Sequence, residues 1–148
     1  GTKEITTQVL AYGIPANKLQ IGVATYGRGF SGVAATNHGL DQSWTGPSTV
    51  DVRYSNQVGF LPYASVPLLL NEGYQHYSMK DAAGAVVGDY IYSEAAQQFI
   101  GYQSTDSVQV VCDYEKTLGL QGTILWSMDT DTQDASSLAN YYHQHCAS

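Results

Sequence analysis

Leu19-Gln20-Ile21-Gly22-Val23-Ala24-Thr25-Tyr26-Gly27-Arg28-Gly29-Phe30 is an apolar run that ends abruptly in an aromatic-Gly-Arg-Gly-aromatic cluster. Its near-continuous apolar character over Leu19 to Tyr26 predicts a strand buried on both faces, as in a parallel sheet. A second segment answers it much later in the chain: Gly119-Leu120-Gln121-Gly122-Thr123-Ile124-Leu125-Trp126-Ser127-Met128-Asp129-Thr130-Asp131. It too is a short apolar strand that ends in an aromatic, here followed by carboxylates. Two buried strands that deliver aromatic and charged groups at their C-terminal ends point to parallel neighbours with a site at that edge.

Before the first strand, Ile5 to Tyr12 reads as a helix with Ile5, Val9, Leu10 and Tyr12 apolar. Gly13 suits the position just past its end and Pro15 forbids continuation. Gly27 to Asn56 reads as a long irregular stretch rich in Gly, Ser, Thr and Asn, with Trp44 and the turn Thr45-Gly46-Pro47 inside it. A loop of that length is usually functional or disordered. A short helix starts after Pro67 and Gly73 breaks it. Tyr74 to Tyr102 places aromatics at near-alternate spacing between turn residues, which predicts an antiparallel sheet of three or four strands. Ser104-Thr105-Asp106-Ser107 is an N-cap cluster for a helix over Val108 to Leu118, ended by Gly119. Asp134 to Ser137 caps a last helix carrying Leu138, Tyr141, Tyr142 and His145.

Composition narrows the function classes. The chain has 148 residues, 43% of them hydrophobic and only 13% charged, against about 25% charged in an average globular chain. Polarity comes instead from hydroxyls, amides and 12 tyrosines. With six Lys and Arg scattered singly and a net charge of −7, there is no basic stripe for nucleic acid. No apolar run reaches the roughly 18 residues that would span a bilayer. Cys112 and Cys146 permit one disulfide between C-terminal helices or two buried thiols, without zinc-site spacing. His38, His76, His143 and His145 show no metal spacing and read as surface or tail residues.

Pro15-Ala16-Asn17-Lys18-Leu19, then Tyr26-Gly27-Arg28-Gly29-Phe30, then Gly122-Thr123-Ile124-Leu125-Trp126 with Asp129 and Asp131, resemble the last third of a family 18 glycoside hydrolase, the chitinase family. Ser31-Gly32-Val33 and Thr45-Gly46-Pro47 resemble its larger bacterial and insect-virus branch. The resemblance runs in order along essentially the whole chain. It implies an α/β architecture: the C-terminal segment of a (β/α)8 TIM barrel, with strands 7 and 8 and flanking helices, carrying an α+β chitinase insertion domain. Residues 1–30 and 105–148 would be barrel wall and 31–104 the insertion. At 148 residues the chain is too short for a whole barrel, which takes about 200 or more.

The family's catalytic Asp-x-x-Asp-x-Asp-x-Glu run, whose Glu is the general acid, is absent here, as is the Met-x-Tyr-Asp cluster of strand 6. The expectation is that this chain is a C-terminal piece with no catalytic residue of its own, the chemistry lying upstream of residue 1. The reaction implied for the parent is hydrolysis of β-1,4-linked N-acetylglucosamine polymers with retention. The substrate's acetamido oxygen serves as nucleophile and one Glu as acid, with no cofactor. Implied partners are chitin or its oligosaccharides, and the remainder of the barrel or a second copy to cover open strand edges. Localisation by the same resemblance is secreted. A non-catalytic carbohydrate-binding protein and a structural or partner-binding domain are the alternatives.

Four residues carry the expected sugar contacts. Tyr26 and Arg28 would close strand 7, Arg28 using its rigid donor fork on hydroxyls or a carboxylate; the plainer reading is an ion pair beside a packed Tyr. Trp126 would lie under the sugar at the cleavage point, its flat indole suited to a pyranose face; the plainer reading is a core Trp. Trp44 is either a further stacking platform or an anchor for its loop. Asp129 and Asp131 resemble a glycosidase carboxylate pair, but one of them capping backbone N–H groups in the loop is the better reading. A calcium loop there lacks the required Gly and the downstream Glu. Three positions depart from the family pattern: Ser65 where a Glu often stands, Val111 near a usual Lys, and Gln103 near a usual Asp.

Overall fold

The computed structural model describes residues 1–49 and 55–147. Helix α1 spans Thr2–Ala11, a turn earlier than the apolar pattern begins, and within it Thr6 and Thr7 return their hydroxyls to the Thr2 and Lys3 carbonyls. It stops at Tyr12, and Gly13 follows with φ 88, a left-handed conformation that costs glycine little.

Strand β1 (Gln20–Ala24) pairs in parallel with β8 (Gly122–Trp126), Gln20 opposite Gly122 and Ala24 opposite Trp126. The parallel pairing agrees with the expectation, but burial on both faces does not. Ile21 and Val23 are buried while Gly22 is exposed, and Ile124 and Trp126 stand in solvent. The reason is coverage: helices lie against one face of this two-stranded sheet. Helix α3 (Thr105–Leu118) and helix α4 (Leu138–His145) pack Val108, Cys112, Leu138 and Cys146 around Val23. The Cys112–Cys146 disulfide, with Cα atoms 5.5 Å apart, closes the choice between a bridge and free thiols.

The chain does not become irregular after Tyr26. Thr25 interrupts the ladder, and β2 (Tyr26–Ser31) begins a second, antiparallel sheet. Its order is β3-β2-β7-β6-β5, with β3 Gly46–Pro47, β5 Gln75–Lys80, β6 Val86–Ser93 and β7 Gln98–Tyr102; β4 (Phe60–Pro62) also pairs with β2. The loop expected over 27–56 is therefore a strand for its first residues, and its part at 50–54 lies outside the described residues. Glycines in β2 mimic a loop signal but serve close approach: a Cβ on Gly27 would stand 2.8 Å from the Gly101 carbonyl oxygen. Strands β5 to β7 are the antiparallel sheet that the tyrosine spacing predicts.

Helix α2 (Val66–Asn71) starts one residue before Pro67 and gives way at Gly73, φ 99. With it, Leu61, Leu69, Tyr74, Ile91 and Ile100 form the core on one side of the six-stranded sheet. Val33, Tyr90 and Tyr92 form a smaller core with Phe30, Leu40 and Phe99. Helix α3 opens on a reciprocal cap, the Ser104 N–H donating to Ser107 Oγ at 2.9 Å, and ends at Gly119 with φ 65.

Candidate functional site

Trp126 ends β8 and is 70% exposed, so it is not a core tryptophan in this chain. Its backbone is held firmly: the Thr25 N–H donates to the Trp126 carbonyl at 3.0 Å. Thr25 Oγ, fully buried, donates to the Ser127 carbonyl at 2.6 Å and lies 2.7 Å from Thr130 Oγ. The strand therefore delivers an open indole on an immobilised main chain.

Tyr26 and Arg28 project from the same face of β2, two residues apart. Phe60, opposite Arg28 on β4, completes a three-part stack. The Tyr26 and Phe60 rings stack at 4.8 Å, and the guanidinium carbon of Arg28 lies 5.1 Å from one centroid and 5.4 Å from the other. That cation–π arrangement orients the fork of an exposed arginine without consuming its donors. Phe30 continues the face and meets Trp44, ring centroids 5.2 Å apart. Trp44 remains 57% exposed, so it is at once leaned on Phe30 and open to solvent. Of the four expected residues, Tyr26 and Arg28 are in direct contact, Trp44 joins their strand through Phe30, and Trp126 belongs to the other sheet. Phe60 escaped the sequence reading because a three-residue strand has no periodicity to detect.

Asp131 is 3% exposed, and its carboxylate accepts from the N–H groups of Leu138 and Ala139 at 3.0 Å each, from Ser137 Oγ and from the Thr132 N–H. The expectation placed its capped N–H groups in the loop; Thr132 is one of these, but Leu138 and Ala139 belong to the first turn of α4, so Asp131 also holds the helix start. Asp129 is engaged by Ser127 Oγ, and Asp134 by Ser136. Among the described residues no cluster of three His, Cys, Asp or Glu is arranged to hold a metal ion. His38 stacks on Tyr77, His145 tilts against Tyr141, and His76 Nε2 donates to Asp89 Oδ1 at 2.8 Å.

The departures from the family pattern are also placed. Ser65 is buried at the start of α2, Val111 packs on the disulfide cluster, and Gln103 Oε1 accepts from the Ala24 N–H at 2.8 Å. Next to Gln103 in the chain, Tyr102 tilts against Tyr63, ring centroids 6.1 Å apart. Burial first, then the Asp131, Asp134 and Asp89 carboxylates, pushes the Tyr63 phenol up to about 12. Burial and then Asp89 raise Tyr102 as well. A cavity of about 470 Å³ opens beside Gln103, between Thr2, Ile21, Val87, Val110 and Tyr114, and none of Tyr26, Arg28, Trp44 or Trp126 lines it.

Comparison with known proteins agrees with this architecture. The family model described as glycosyl hydrolases family 18 matches residues 1–131. Chitinase A1 of Niallia circulans is 34% identical over 119 residues, 80% of this chain and 16% of that protein. A chitinase of the Autographa californica nuclear polyhedrosis virus is 30% identical over 132 residues, 89% of this chain and 23% of that protein. A class V chitinase from Nicotiana tobaccum, solved as a variant in complex with NAG4, superposes with a TM-score of 0.77 at 27% identity. It covers 94% of this chain, which matches 37% of that structure. The chain thus spans less than half the length of each of these relatives. It is a mixed α/β protein, and it belongs to family 18 of the glycosyl hydrolases.

Proposed function

We propose that this chain is the C-terminal part of a chitinase, supplying one wall of its sugar-binding cleft. In this reading β1 and β8 are strands 7 and 8 of a (β/α)8 barrel. Residues 1–30 and 105–148 form barrel wall and residues 31–104 the inserted α+β domain, with β2 leading from one to the other. Tyr26, Arg28, Trp126 and Trp44 contact the polymer of β-1,4-linked N-acetylglucosamine. The parent enzyme hydrolyses it with retention through the substrate's acetamido group, and the acid is supplied from outside this chain. The protein acts outside the cell, where the polymer is. The open edges of β1 and β8 are covered by the rest of the barrel or by a second copy.

One observation carries the reading: Trp126 stands open at the C-terminal end of a parallel strand pair, the end at which barrel enzymes build their sites. A flat exposed indole on one sheet and an oriented arginine on the other suit the two kinds of sugar surface, apolar face and hydroxylated rim. The solved relative in complex with NAG4 lends support, because 94% of this chain matches it.

The test is a tryptophan-fluorescence titration with the N-acetylglucosamine tetramer. A saturable change that disappears in Trp126→Ala supports the sugar wall. No change at any concentration leaves a structural piece and sinks the reading. The pure chain should not hydrolyse the tetramer, and detectable cleavage would overturn the assignment of the acid to another segment.

A further inference from the structure

The chain crosses between its two sheets at Thr25, where β1 gives way to β2, and at Tyr102-Gln103-Ser104, between β7 and α3. The first crossing is tied by Thr25 to Trp126 and the loop after it. The second is tied differently. The Thr25 N–H points towards β8, so the Ala24 N–H points to the opposite, unpaired edge of β1. There Gln103 Oε1 takes it at 2.8 Å, ending that edge with a side chain instead of a strand.

The adjacent Ser104 donates its hydroxyl to Asp89 Oδ2 at 2.5 Å. Asp89 lies within β6 and is 1% exposed. Its other oxygen meets Ser78 Oγ at 2.9 Å and His76 Nε2 at 2.8 Å, both from β5. A buried carboxylate in a sheet costs several kcal/mol unless donors surround it. An apolar residue would fill the same space without that cost, so stability alone does not explain an aspartate here. What the carboxylate adds is direction: three side chains from two elements must meet at one point.

We propose that Asp89 is a positioning residue. Through Ser104 and Gln103 it fixes where the end of β1, and hence the paired Trp126, stands relative to the sheet that carries Tyr26, Arg28 and Phe60. The proposal rests on the sugar-wall reading above for its functional consequence, but not for its structural content. Asp89 touches no substrate in this scheme; it sets the distance between the two halves of the wall.

Asp89→Leu, near in size and without acceptors, is compared with Asp89→Asn, which keeps an acceptor, and with Tyr92→Phe. The last deletes a buried hydroxyl bond to the Val33 carbonyl elsewhere in the same sheet. Amide exchange at Ala24, read by NMR without ligand, should quicken about ten-fold or more in Asp89→Leu and stay near the native rate in the other two. Tetramer affinity should fall by about ten-fold in Asp89→Leu only. A folded Asp89→Leu with native Ala24 exchange overturns the proposal. Should that variant fail to fold, Gln103→Ala removes the same link at its far end. It must then quicken Ala24 exchange and weaken the tetramer, and native values for both overturn the proposal as well. If Ala24 exchange responds but the native chain binds no tetramer, the joint stands and the sugar-wall reading falls.

Discussion

Thr25 and Trp126 meet at the last rung of the parallel ladder, where the Thr25 N–H donates to the Trp126 carbonyl at 3.0 Å and the Thr25 side chain holds the carbonyl of the next residue. One buried threonine thus ends one strand, starts the second sheet and fixes the main chain beneath an open indole. Rigid backbone under an exposed aromatic is what a stacking platform requires, because less freedom is then lost on binding.

Trp126→Ala should weaken tetramer binding by about ten- to thirty-fold, the scale of an aromatic hot spot. Its stability cost should stay within about 0.5 kcal/mol, because the side chain it removes is already in solvent. Trp44→Ala should weaken binding less, since that ring leans on Phe30. Calorimetric titration of both variants checks the order, and a larger loss for Trp44→Ala would reverse the assignment.

Asp131→Ala should cost about 2–4 kcal/mol, through lost capping and stranded N–H groups at Leu138, Ala139 and Thr132. Asp129→Ala, at an exposed position, should change stability little. Urea unfolding of the two variants measures the difference. Equal, small effects would mean that the carboxylate at Asp131 does not hold the start of α4.

Reduction of Cys112–Cys146, or replacement of both by serine, should lower stability by about 2–4 kcal/mol. The bridge joins residues 34 apart and ties α3 to the end of α4. Denaturant midpoints with and without reductant are the measurement, and coincident curves would assign the packing to apolar contact alone.

Alkaline pH should unfold the protein through its half-buried phenols. The Tyr63 phenol is raised from 10.0 to about 12 in the fold, so between those values the unfolded chain gives up a proton that the folded one keeps. The stabilisation is complete below pH 10 and is lost as pH rises towards 12. Tyr63→Phe should flatten that limb of the stability curve, while it also removes the hydroxyl bond to the Ser136 carbonyl. A curve of unchanged slope would place the alkaline transition on other tyrosines.

Legibility followed range. The end of α1 at Gly13, the cap at Ser104, the stop at Gly119 and the three tyrosine-rich strands are set by neighbours a few residues away, and all could be read from the sequence. The strand Tyr26–Ser31 could not, because its glycines look like a loop until β7 and β4 lie against them. Phe60 beneath Arg28 had no local signal at all.

Local sequence was enough for the helices and their ends, the buried run that becomes β1, the strand that ends in Trp126, the tyrosine-rich strands, and the family they resemble. Propensity, capping and periodicity act over a few residues, and they are written in the chain. Packing settles the rest: Trp126 is open, Asp131 spends its carboxylate on a helix end, and the two cysteines are bridged. The same holds for Gln103 meeting the Ala24 N–H at the edge of β1, and for Asp89 gathering His76, Ser78 and Ser104. Each of these depends on which distant groups exclude water from a side chain or offer it a partner, and exposure and hydrogen bonding at long range are properties of the packed whole.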